Sequence, residues 1–103
     1  MTEGIREIVF RSSAAIQAAK AQQWYETQRS GLGAEFALHL EAATHRAARH
    51  PEHCPIVYLQ VRRIFLKRFP YALFFLPEEQ KLVVLSCLHT KRDPAAWPGA
   101  ADH

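Results

Sequence analysis

The residues best suited to chemistry gather in one stretch of this 103-residue chain, from Arg62 to Trp97. Arg62, Arg63, Lys67 and Arg68 precede the corner Phe69-Pro70-Tyr71, and His89, Lys91 and Arg92 precede Asp93-Pro94 and Trp97. Residues 1–56 carry six Lys/Arg against six Asp/Glu, residues 57–92 seven against two, and residues 93–103 none against two, so the formal net charge of +3 conceals a larger local excess. Charge placed this asymmetrically suits an anionic partner, whether nucleic acid, an acidic protein or an acidic peptide. Strand alternation would put Arg62 and Arg68 on one face and Arg63 and Lys67 on the other, so without a bulge the four cannot grip one ligand together. The same charges would also keep an edge strand solvated and unpaired.

Other constellations weigh less. Ser86, His89 and Asp93 are the residue types of a hydrolase triad, but no glycine-flanked elbow presents the serine, and no glycine loop is built to cradle phosphate. His89 ends an apolar run, where it is either a histidine bonded to backbone or a functional group. Arg92 and Asp93 fit a local ion pair or turn. His50-Pro51-Glu52-His53-Cys54 brings nitrogen and sulfur donors together, yet a structural zinc site uses four ligands and no second pair stands at a recognisable spacing. Neither a metal nor a cofactor is expected. Cys54 and Cys87, 33 positions apart, read as reduced packing residues.

The elements that must position these residues are legible in outline. A chain of this length closes one core unaided, and residues 1–92 read as a single domain with residues 93–103 as a tail whose Trp97 packs back on the sheet or anchors a partner. Ile5 to Phe10 reads as a first strand, with Ser12 or Ser13 capping the helix that follows. On that helix Ala14, Ala18, Ala21 and Tyr25 form one stripe. Ser30-Gly31-Leu32-Gly33 ends it, and a second helix from about Ala34 to His50 repeats the stripe with Phe36, Leu40, Ala43 and Ala47 before Pro51 closes it. So short a link makes the pair an antiparallel helical hairpin.

Three strands should follow, over Leu59–Arg68, Tyr71–Leu76 and Lys81–His89, joined by links short enough to require antiparallel neighbours. The expected class is α+β, in the order βααβββ. Ala72-Leu73-Phe74-Phe75-Leu76 is apolar on both faces, which implies cover beyond the helical hairpin; no further element is evident, so a partner protein is the expected cover. No apolar run approaches the ~20 residues that a bilayer span needs, and Met1-Thr2-Glu3-Gly4 lacks the layout of a secretion signal, so a cytoplasmic protein without membrane partners is expected.

This element order, taken with Arg62-Arg63, Lys67-Arg68-Phe69-Pro70-Tyr71, the run from His89 to Trp97 and the helix entry Gly31-Leu32-Gly33-Ala34-Glu35-Phe36, resembles the RelE/ParE superfamily of toxins from bacterial type II toxin–antitoxin modules, particularly its ParE-like, plasmid-stabilisation branch. The resemblance implies a cognate antitoxin whose segment covers the apolar surface, and a toxin–antitoxin hetero-oligomer. RelE-like members resemble one another as metal-independent ribonucleases that cut messenger RNA on the ribosome. In that reading His89 would move the proton, Arg63 and Arg68, with Arg62 and Lys67, would clamp phosphate, and Tyr71 would stack a base. The tyrosine ending usual in those nucleases is missing here. ParE-like members instead inhibit DNA gyrase by protein contact, in which case Arg62, Arg63, Lys67, Arg68, Lys91 and Arg92 would bind the target and Trp97 would anchor an interface. A degenerate toxin that only binds its antitoxin remains a third reading.

Overall fold

The computed structural model describes residues 6–99. Strand β1 (Glu7–Phe10) leads into helices α1 (Ser12–Gln28) and α2 (Leu32–Arg49), a 3₁₀ turn (Pro51–His53), strands β2 (Ile56–Tyr58), β3 (Val61–Phe65), β4 (Tyr71–Pro77) and β5 (Lys81–His89), and a second 3₁₀ turn (Pro94–Ala96). Ile5, the expected start of β1, and residues 100–103 of the tail lie outside the described residues. All five strands form one sheet in the order β1-β5-β4-β3-β2. From β2 to β5 each strand runs antiparallel to the next, and β1 pairs parallel to β5, with Ile8 opposite Leu82 and Phe10 opposite Val84.

The class is α+β with a helical hairpin, as expected, and the meander has one more strand than expected. The stretch 59–68 is not one strand. Leu59 adopts a left-handed φ of 53° that turns the chain between β2 and β3, and Arg68 adopts 71° in the turn that follows Phe65. Neither position is glycine, so the usual marker of such a conformation is missing from the sequence.

The helices form where the apolar stripes require them. Ala14, Ala18 and Ala21 of α1 are buried, and small side chains there let the helix lie close to the sheet. The expected serine cap does not form. Arg11 occupies that position with no side-chain bond, and the Ser13 hydroxyl instead donates to the Leu85 carbonyl at 3.2 Å. Together with the Gln17 side-chain oxygen, which accepts the Cys87 amide at 2.8 Å, this contact closes the length of β5 that β1 is too short to pair.

Between the helices, Gly31 (φ 90°) begins α2, and the Glu26 carboxylate of α1 accepts the amides of Gly31 and Gly33, each at 3.0 Å. A carboxylate at the start of a helix is favoured by the unpaired amides and the dipole alike. Gly33 is required by space: a Cβ there would stand 2.8 Å from the Gln22 carbonyl oxygen.

On the helical face of the sheet the core is continuous, with Phe36, Leu73, Phe75, Leu82, Val84 and Cys87 each less than 2% exposed. A bulge in β5 helps to fill it. Phe74 pairs with Ser86 and Phe75 with Val84, so Leu85 is the extra residue and both Val84 and Cys87 reach the helices. Both cysteines are free and buried, and burial pushes the Cys87 thiol up to about 12.

The other face carries a smaller cluster, in which Val61, Ala72, Phe74 and Leu88 are covered by Val57, Leu76, Leu85 and Trp97. The Trp97 ring lies 5.2 Å from that of Phe74. Gly99, at φ 82°, then passes so close to Tyr58 that a Cβ would meet its Cδ1 at 2.8 Å. Residues 94–99 therefore strap this face from β5 to β2. The expectation that no element of the chain could cover it is corrected here: the cover is the chain's own tail.

Candidate functional site

The residues singled out in the sequence divide between two grooves and a turn. The first groove, of about 470 Å³, lies between α1 and the end of β5 and includes Lys20, Trp24, Tyr71, Arg92 and Asp93 in its lining. Arg92 donates to the Tyr71 hydroxyl at 3.0 Å, and its guanidinium sits 5.5 Å from the centre of the half-exposed Trp24 ring. The three side chains thus place a cation over an aromatic face beside a phenol.

His89 holds this corner in shape. Its Nδ1 accepts the backbone amides of both Lys91 and Arg92 at 3.0 Å. Its own amide donates to the Asp93 carboxylate at 3.1 Å, and the Asp93 amide donates back to the His89 carbonyl at 3.1 Å. Its ring meets Tyr71 edge-on, with centroids 5.1 Å apart. Burial and the charge of Arg92, with a smaller effect of Lys91, lower the His89 pKa against the opposing pull of Asp93. A neutral imidazole whose Nδ1 accepts hydrogen bonds carries its proton on Nε2 and has no lone pair free to take another. Asp93 is thus bound into the turn, with Arg92 directed to Tyr71 rather than to Asp93.

The second groove, of about 430 Å³, follows the outer edge of β3 and is formed mainly by Arg46, Arg49, His50, His53, Ile64 and Phe65, with Arg63 also in its lining. Strand β2 pairs only with Val61 and Arg62, so β3 is uncovered beyond them. The Arg63 amide is taken by the Pro55 carbonyl at 3.2 Å, and Arg46 donates to the Phe65 carbonyl at 3.2 Å. The Phe65 ring is 46% exposed, and Arg63 stacks over it at 4.6 Å with its buried Nε unpartnered. Here an apolar floor is rimmed by cations.

Of the expected cation group, Arg63 lines the β3-edge groove and Arg92 the first groove. Arg62 turns to the helical side and donates to the Cys54 carbonyl at 2.7 Å, a structural use. The shared faces expected for Arg62 with Arg68 and Arg63 with Lys67 do not exist, because the strand ends at Phe65 and both later residues lie in an exposed turn. Arg68 approaches Glu35 at 3.8 Å beside Arg29 at 3.6 Å. Lys91 is exposed. Trp97, expected to pack back or to anchor a partner, lies on the strap against Phe74 with its indole N–H buried and unpartnered. Trp24, Arg46, Arg49 and Phe65 escaped sequence reading as site residues. Three of them sit on helices read only for their buried stripe.

A family model described as "ParE toxin of type II toxin-antitoxin system, parDE" matches residues 8–94, nearly the whole described fold. The chain belongs to the ParE toxin family. A chain of the solved "Chromosomal ParDE TA system from P. aeruginosa" superposes with a TM-score of 0.71 at 12% sequence identity, over 86% of this chain and 100% of that one. So distant a likeness shows the shared fold. No curated protein sequence matches the chain. In this ParE toxin the β3-edge groove, the His89 turn and the first groove apart from Ala96 lie within the matched residues, whereas Trp97 and Gly99 lie beyond them. Among the described residues no helix is long and apolar enough to cross a membrane.

Proposed function

We propose that this ParE-family toxin acts in the cytoplasm by protein contact on DNA gyrase, through the corner built from Trp24, Tyr71 and Arg92, and that a cognate antitoxin neutralises it. The supporting observation is the hydrogen bonding of His89. With Nδ1 accepting two backbone amides, the ring serves as the keystone of a turn, and a proton-transfer group would need that lone pair. The ribonuclease set is also scattered: Arg63 lines the β3-edge groove and Arg68 the turn beside Glu35, while Tyr71 and His89 lie in the corner. For the antitoxin, the β3-edge groove offers an apolar floor and three guanidinium groups, complementary to a segment with apolar anchors and carboxylates.

The test uses purified components. The toxin should block supercoiling by gyrase and leave ribosome-bound messages intact. Cleavage of those messages with gyrase unaffected would establish the ribonuclease reading, and neither effect would leave a protein that only binds its antitoxin. Within the gyrase reading, Arg92→Ala should weaken inhibition about tenfold, corresponding to ~1.4 kcal/mol.

A further inference from the structure

We infer that His50, Glu52 and His53 form a binding site for a divalent transition-metal cation of the zinc class at the rim of the β3-edge groove. The inference stands independently of the target of the toxin. Sequence spacing alone argues against a closed four-ligand site here, and an open three-ligand site is a different object. In a 3₁₀ turn residues three apart come to lie on the same side. His50 precedes such a turn and His53 ends it, with the His53 amide donating to the His50 carbonyl at 3.0 Å and Pro51 at its start. Their rings are parallel within 15° and 4.9 Å apart.

The donor atoms already approach a coordination polyhedron. His50 Nδ1 lies 3.3 Å from Glu52 Oε2, His53 Nε2 lies 3.9 Å from the same oxygen, and the donors of all three lie within 4.8 Å of one another. Ligands ~2.1 Å from a tetrahedral ion stand about 3.4 Å apart, so small rotations of exposed side chains complete the set. Two imidazoles with one carboxylate suit zinc, nickel or copper rather than magnesium or calcium.

Cys54 does not complete the set: its thiol is buried, and the group of converging donors is His50, Glu52 and His53. The fourth position is therefore left to water or to a donor from the occupant of the groove, which His50 and His53 also line. Arg46 and Arg49 in the same groove oppose a cation, which argues for moderate affinity, with a Kd on the order of 10 µM.

The experiment is a competition titration of zinc ions between the full chain and a chromophoric chelator, repeated with cobalt(II), whose visible absorption reports coordination by nitrogen. His50→Ala and His53→Ala should each weaken zinc binding about tenfold or more, as loss of a direct ligand requires. His45→Ala should change nothing, because His45 pairs only with Glu41, at 3.7 Å. All these side chains are more than half exposed, so the variants should fold, and circular dichroism checks that they do. Equal zinc affinity in the wild type and the His50→Ala/His53→Ala double variant would overturn the site, as would a cobalt spectrum that the double variant leaves unchanged.

Discussion

The two faces of the sheet are built differently. Against the helices the core is continuous, closed by large side chains less than 2% exposed and by an aromatic cluster in which Tyr25, Phe36, Phe69 and Tyr71 meet with ring centroids between 4.8 and 6.1 Å apart. The opposite face has a buried cluster of four residues and a strap six residues long, whose tryptophan leaves its indole N–H unpartnered. One face holds the fold together through many mutually supporting contacts; the other is closed by one aromatic ring on an otherwise irregular segment. Stability should therefore be concentrated on the first, and the second should tolerate rearrangement.

The sharpest challenge to that contrast is Phe75→Ala, which removes a ring of no measurable exposure from the helical face and should cost about 3–5 kcal/mol in urea unfolding. Next comes Gly33→Ala, which tests the helical layer itself. With a Cβ 2.8 Å from a backbone oxygen, the hairpin must shift, and the expected cost is about 1–3 kcal/mol. Trp97→Ala on the strap should cost less, about 1–2 kcal/mol, because the ring is only partly buried and the loss of its unpartnered N–H offsets part of the lost packing. A Trp97 effect equal to that of Phe75 would erase the distinction between the faces.

The smallest expected effect is one of pH. Because the folded protein lowers the His89 pKa, the unfolded chain takes up that proton first as pH falls through about 6.5. The contribution is complete above that value and is lost as pH falls toward the lowered one. His89→Asn keeps an acceptor for the Lys91 and Arg92 amides and should flatten this part of the stability profile, measured as Tm between pH 7.5 and 5.5. An unchanged slope would mean that other groups carry it.

Much of the fold was legible because its signals are local. Strand β5 runs over Lys81–His89 as read, and Pro51 does end α2. What escaped the sequence depends on distance or on unusual backbone. The three-residue β2 exists because Leu59 turns left-handed, which a leucine does not advertise. The parallel pairing of β1 with β5 joins residues more than seventy positions apart. Helix α2 begins two residues before its expected start because Glu26, on the preceding helix, supplies the cap. The candidate site was legible as composition more than as arrangement. Charge counting located the cations, but a strand overextended to Arg68 assigned them faces that the turn at residues 66–70 abolishes.

The strap has a competitive consequence. Trp97 is tethered a few residues from the end of β5, so the open face sees it at an effective concentration of about millimolar or more, set by that short linkage. An external aromatic anchor aimed at Phe74 would have to outcompete this resident ligand, and its apparent affinity would be reduced by the fraction of time the face is already filled. Removing the strap would thus increase binding by such a molecule without adding one contact to it, whereas the uncovered β3 edge carries no such handicap.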